Sequence, residues 1–297
     1  MIKNYFIKAA AILAMGFVFS CDNTTDDPIN NNKNNPNNPN NGGGSTTTIT
    51  GPRILHKIIA NNEMTEEFVT TGGVLEKAIY REDSGPNSFL IGDVTYTSGK
   101  ISRVKLGQQV NGSIPPNNLA YDFNVTYDSA GKINFTTCAA TLGALTAYDS
   151  EFTYAYDASG KMTKIVEKRK NGADYTHFFN YNLTNTGDNI TKVVTEFGLT
   201  SSSGVPDMAS VLTTTYNFTS YDNKINPYTT LPKTFFVIMS VLHPMNFSTL
   251  SGNNLTNYNI QSQSTPVVNI GLDYLYDSMN FPVSNQSQVK KYIYKAL

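Results

Sequence analysis

Tryptophan is absent from the 297 residues, histidine occurs three times and cysteine twice, and charged residues make up only 15% of the chain. Each scarcity excludes something. His56, His177 and His243 are not paired at metal-ligand spacing with one another, with cysteine or with a carboxylate, so no zinc site is written in the sequence. There is no Gly-x-Ser-x-Gly elbow, no phosphate-binding loop and no dinucleotide fingerprint, and with them go the commonest hydrolase, nucleotide and nicotinamide chemistries. No cofactor is implied. No apolar stretch reaches the ~20 residues of a membrane-spanning helix. With 22 basic and 23 acidic side chains the formal net charge is −1, which gives no footprint for a nucleic-acid partner.

The N-terminus holds the clearest signal. Lys3 and Lys8 precede an apolar stretch from Ala9 to Phe19, and Ser20 and Cys21 follow. A charged start, a short apolar segment and a small residue at the cut describe a secretory signal. Val18-Phe19-Ser20-Cys21 resembles a lipobox, with an aliphatic residue at −3, a small one at −1 and the cysteine at +1. Phe19 departs from the commonest choices at −2. The expectation is a lipoprotein signal peptide over residues 1–20, cleaved before Cys21, whose thiolate accepts the lipid. Two or three acyl chains, as the resemblance implies, anchor stably where one does not. Loss of Lys3 and Lys8 from the 22 basic residues leaves 20 against 23 acidic. With Cys21 assigned to lipid, Cys138 has no intrachain disulfide partner and reads as a buried, inert thiol in a strand.

Residues 21–49 read as the lipidated cysteine and a disordered tether. Its Asn/Pro run and Gly42-Gly43-Gly44-Ser45 cannot bury enough apolar area to offset their ordering entropy. A flexible coil of about 28 residues reaches roughly 30 Å on average. Asp22, Asp26 and Asp27, just after the cysteine, resemble the export signal of surface lipoproteins in Bacteroidota. They imply an outer-membrane lipoprotein facing the cell surface, with the periplasmic face as the alternative.

Residues 50–297 read as a single domain of repeated hairpins. The recurring unit is an aromatic alternation, then Tyr-Asp, two spacers, Gly, Lys and an apolar residue. Copies run from Asp122 to Ile133 and from Phe152 to Met162, with a shorter one at Val94–Ile101. Degenerate copies include Tyr216–Ile225 and Tyr274-Leu275-Tyr276-Asp277. The anchors Tyr96, Tyr127, Tyr156 and Tyr181 are 31, 29 and 25 residues apart, which fits two strands and two turns per unit. Asp128, Asp157 and Asp277 suit turn starts, because an Asp side chain bonds a backbone N–H two residues on. Gly131 and Gly160 suit the positive-φ position. Asn171-Gly172 marks a further hairpin. The expected fold is all-β: an antiparallel meander forming a curled or two-layer sheet. Phe235 to Leu242 breaks the alternation as a continuous apolar run between Pro232 and His243-Pro244. It reads as a short buried helix or central strand that plugs the sheet, with a membrane-inserting loop as alternative.

With these motifs in hand, the chain resembles Bacteroidota lipoproteins that carry a domain of unknown function built of Tyr-Asp hairpin repeats. The residues that carry the resemblance are Cys21, Tyr127-Asp128, Tyr156-Asp157, Tyr221 to Tyr228 and Tyr274 to Asp277. Tyr-Asp-x-x-Gly hairpins also occur in larger Rhs-type shells, but the missing tryptophan and irregular spacing depart from those. The resemblance implies an envelope lipoprotein and brings no catalytic residues with it.

The functional expectation is therefore a non-enzymatic binding or structural module, membrane-bound through Cys21, whose partner is a glycan or an envelope protein. Tyrosines on an open sheet face would suit such contacts. Two alternatives stand beside it. A glycan hydrolase would need converging carboxylates of the kind Glu151, Asp157 and Glu167 could supply. An apolar-ligand carrier would use the Phe235–Leu242 run. Calcium at the turn aspartates is disfavoured, because each turn brings one carboxylate where a site wants several oxygens.

Overall fold

The computed structural model describes residues 51–297 except 84, 86 and 263–265. The expectations placed on Cys21, Asp22, Asp26 and Asp27 lie outside the described residues. Among the described residues seventeen strands form one antiparallel sheet. They are β1 (Arg53–Ala60), β2 (Glu63–Thr71), β3 (Val74–Arg81), β4 (Ser88–Thr97), β5 (Lys100–Val110), β6 (Leu119–Tyr127), β7 (Ile133–Leu142), β8 (Leu145–Tyr156) and β9 (Met162–Asn171). Then come β10 (Asp174–Thr186), β11 (Asn189–Leu199), β12 (Leu212–Ile225), β13 (Asn253–Ser262), β14 (Val268–Gly271), β15 (Leu275–Tyr276), β16 (Pro282–Ser284) and β17 (Lys290–Ala296).

Each strand from β1 to β13 pairs with its successor. β15 pairs with β16 and β16 with β17. β17 returns to lie beside β1, with Arg53 opposite Ala296 and Ala60 opposite Lys290. The first and last strands are thus interior to the sheet. Its two edges are β14 and β15, which no ladder joins, so the meander does not close.

The repeat turns share one geometry. Asp128 N–H donates to Lys132 O at 2.9 Å and Gly131 N–H to Asp128 O at 3.0 Å, and Asp157 with Lys161 and Gly160 repeats both distances. Gly131 and Gly160 sit at φ +80° and +87°. The register slips at Tyr127 and at Tyr156, so each Tyr-Asp step carries a bulge whose extra residue is accommodated by the glycine. Asp277 opens the same turn, with Asn280 at φ 67° in place of glycine.

The repeat tyrosines point inward. Tyr127 Oη donates to Ile101 O and Tyr156 Oη to Ile133 O, each at 2.8 Å. Lys100 and Lys132 lie 5.0 Å from the centroids of the same two rings. Each unit's tyrosine therefore clips onto the return strand of the preceding unit. Tyr221 and Tyr274 make equivalent bonds to Ile190 O and Leu255 O. The expectation of tyrosines offered on an open face gives way to this: most of them pack on the core, where the ring is desolvated and the hydroxyl finds a carbonyl.

The apolar run forms the helix α1 (Lys233–Leu242), with Phe235 through Val241 buried. It lies against the inner face of the sheet. Phe235 stacks on Tyr80 at 6.4 Å, and Phe236 meets Phe68 at 6.0 Å and Tyr228 at 5.2 Å. A helix apolar all round must be covered on all sides, and here the curled sheet covers it. Ser240, its one buried hydroxyl, bonds back to Phe236 O.

Candidate functional site

Because the strands alternate in direction, the connections fall at two ends. One end carries the turns at Asp128, Asp157 and Asp277, the start of β1 and the end of β17. The other carries Asn61-Asn62, the 111–118 loop, Gly143, Asn171-Gly172 and the 200–211 excursion. The first end is rich in Asp and Lys. The far end carries its charges mainly at strand ends and in Glu82, Asp83 and Asp207, and shows Ile114, Leu145, Val205, Met208, Leu212 and Val268 to solvent, each more than half exposed.

Just inside the far end, on the inner face, lies a polar and aromatic cluster built by strand alternation. Ile165 is buried, so Glu167 and Arg169 on the same strand also point inward, while Lys168 and Lys170 point out. Glu167 is almost wholly buried and forms an ion pair with Arg169 Nε. It also accepts Ser150 Oγ at 2.8 Å and Tyr181 Oη at 3.3 Å. Tyr181 Oη also lies 2.8 Å from Val241 O, so its one proton is shared between the two acceptors, which ties the cluster to the end of α1. The Arg169 guanidinium lies 4.3 Å from the Tyr148 ring centroid and 4.2 Å from that of Phe179. Phe197 continues the row, 4.6 Å from Phe179 and 5.3 Å from the nearly parallel His177 ring. Tyr121 lies on the same inner face, with its ring 6.2 Å from that of Phe123.

The electrostatics follow from burial and this pairing. Desolvation works against the Arg169 charge, but Glu167 beside it more than compensates and the guanidinium is held firmly protonated. Desolvation lowers the pKa of His177, the Arg169 charge lowers it further, and Glu167 opposes both. Burial raises the Tyr148 and Cys138 pKa values, so both stay neutral, and the Cys138 thiol is inert rather than nucleophilic. His243, just past α1, is exposed, yet desolvation lowers its pKa against the pull of Glu82.

The other residues singled out in the sequence stay apart from this cluster. Glu151 neighbours Phe152, the register partner of Glu167, and so faces the opposite side of the sheet. There it pairs with Lys170 and accepts Tyr175 Oη at 2.9 Å, and its pKa is lowered chiefly by the Lys170 hydrogen bond. Asp157 sits at a turn, where one oxygen accepts Ser159 N, Ser159 Oγ and Lys161 N. Glu151, Asp157 and Glu167 therefore do not converge on one cleft. Asp128 Oδ1 accepts Lys132 N, and Asp277 Oδ1 accepts Met279 N and Phe281 N. Asp277 also pairs with Arg53, fastening the last turns to the first strand. Among the described residues no group of three His, Cys, Asp or Glu side chains is placed to hold a metal ion. The Phe235–Leu242 run fills the sheet interior, so it is core and not the lining of a carrier's cavity.

Sequence reasoning passed over Arg169. The available signal was the phase of β9: a strand with Ile165 inward must send Glu167 and Arg169 inward too.

Fold and cluster together define an all-β chain, a single antiparallel meander wrapped on one helix. No family model matches the chain and no curated protein matches it, so the likeness to Tyr-Asp-repeat lipoproteins rests on its motifs. Among solved structures it is similar to a porin-like protein from Bacteroides vulgatus, with a TM-score of 0.46 at 14% identity, covering 82% of this chain and 100% of that one. A porin-like protein from Bacteroides uniformis gives a TM-score of 0.34 at 13% identity, covering 77% of this chain and 88% of that one.

Proposed function

We propose that the chain is a non-enzymatic binding module of the bacterial envelope. Lipid on Cys21 holds it to an outer membrane, Asp22, Asp26 and Asp27 route it to the cell surface, and it meets its ligand with the far end of the sheet. The observation that carries this reading is the contrast between the ends. One bears charged turns stabilised by their own Asp side chains. The other bears exposed aliphatic side chains around an inward-facing Arg-aromatic cluster. Exposed apolar side chains gathered at one end of a molecule mark an interaction surface.

The test uses the Cys21→Ala chain, which is expected in the soluble fraction where the parent is in the membrane fraction. Mixed with isolated envelopes from its own cells, it is expected to sediment with them. Leu145→Glu combined with Met208→Glu should abolish sedimentation, and Ser159→Glu at the opposite end should leave it intact. Equal sedimentation of all three, or none by the Cys21→Ala parent, would overturn the reading.

A further inference from the structure

Resting on that reading, we infer that the far-end cluster is a carboxylate-binding site in which the two Nη groups of Arg169 grip the ligand end-on. The guanidinium is oriented before any ligand arrives. Tyr148 and Phe179, on the strands either side of β9, bring their ring centroids to 4.3 and 4.2 Å from its Cζ, and Glu167 holds its Nε edge. Glu167 is itself fixed by Ser150 and Tyr181, so the whole fork is rigid. Among the described residues the Arg169 side chain donates no hydrogen bond besides the one to Glu167, and it keeps 17% exposure. The Nη groups therefore offer unspent donors toward solvent. A guanidinium fork matches the spacing of two carboxylate oxygens, and a preorganised fork loses little entropy on binding.

The surroundings say what else the ligand carries. Tyr148 and Phe179 crowd the guanidinium, and Phe179, Phe197 and His177 stand side by side across neighbouring strands. Such a row turns ring edges, not faces, toward a ligand, and ring edges carry partial positive charge that favours oxygen acceptors. Glu167 already neutralises one unit of charge, so a single Arg169 supports a monoanion better than a phosphate of charge near −2. The nearest further cations on the strand, Lys168 and Lys170, point to the other face, and Lys170 is paired with Glu151. The carboxylate has two chemical sources in an envelope: an acidic sugar or the C-terminus of a peptide.

Calorimetric titration of the Cys21→Ala chain separates them. Its arms are glucuronic acid, an N-acetylated dipeptide with a free C-terminus, glucose and inorganic phosphate. Binding of glucuronic acid or of the dipeptide, at least tenfold tighter than glucose and phosphate, is expected, and whichever wins names the source. Arg169→Lys, which keeps the charge and loses the fork, should weaken that binding at least tenfold. Glu167→Gln should strengthen it, because the guanidinium charge is then unshared. Carboxylates no tighter than glucose on the parent chain would overturn the inference even if neither variant folds. So would unchanged affinity in a folded Arg169→Lys. Either result with far-end-dependent envelope sedimentation intact leaves the broader reading standing.

Discussion

Gly160 holds φ +87° where the Asp157 turn passes into the return strand. A Cβ there would meet only Lys132 Nζ at 3.2 Å, the far end of a flexible side chain, so the penalty for a larger residue comes from the backbone. For a β-branched residue that is on the order of 1 kcal/mol or more. Gly160→Val is expected to lower the melting temperature clearly. Ala158→Val, two residues away and exposed, is expected to be neutral, with Asp157→Ala between them. Thermal unfolding of the three variants checks the order. These turns were readable in the sequence because their chemistry is local: the Asp acceptor and the glycine lie within four residues. Arg169 was not, because Val166 to Lys170 looks like a solvated charged run until its phase against Ile165 is fixed. Tyr127 and Tyr156 were seen as aromatic alternation, but their acceptors, Ile101 O and Ile133 O, lie 26 and 23 residues away.

The histidines carry a pH dependence of definite sign. Desolvation depresses the folded-state pKa of both His177 and His243 below the ordinary 6.5. Between the folded and unfolded values the unfolded chain binds more protons. Their contribution is therefore complete above about pH 6.5 and is lost as pH falls through the folded values. Glu66 has the opposite sign. Desolvation raises its pKa, against Lys290 and the Tyr228 hydrogen bond, so its contribution is complete in acid and is lost as pH rises through the folded value. Melting temperature should fall between pH 7 and 5, and His177→Gln with His243→Gln should flatten that fall. An equal slope in the double variant would assign it to other groups.

At the scale of elements, the place of α1 was legible in the sequence and its form was not. Phe235 to Leu242 is apolar at every position, and a run with no polar phase carries neither a helical nor a strand period. Tertiary space decides: the curled sheet leaves room for a cylinder and not for another flat layer. Phe235 has its ring beside Tyr80 and over Gly92, where a Cβ would come within 3.3 Å of it. Phe235→Ala should therefore open a cavity and cost about 3–5 kcal/mol. Urea unfolding is expected to show a lower midpoint with an unchanged slope. A loss under 1 kcal/mol would mean that the sheet collapses onto the vacancy.

For the whole molecule, the break in the hydrogen-bond ladder and the break in the covalent chain fall in different places. β14 and β15 run in the same direction on either side of the gap, one paired to β13 and the other to β16. The first and last described strands, by contrast, meet inside intact sheet, where Leu297 N–H donates to Pro52 O at 3.1 Å. Strand order in space follows order along the polymer, and β17 returns to β1, so the point at which the chain starts is not imposed by the sheet, which invites circular permutation. In a chain trimmed to residues 51–297, a short linker from Leu297 to Gly51, with new termini between Leu272 and Asp273, would move the covalent break to where the ladder is already open. Such a permutant should keep the strand-dominated circular dichroism of the parent and melt within a few degrees of it. New termini at Gly143, inside the β7–β8 hairpin, would instead separate two strands in register from Phe135–Thr153 to Leu142–Leu145, and should lower stability much further. At the gap each edge strand is fastened on one side only, and amide hydrogen exchange should begin there.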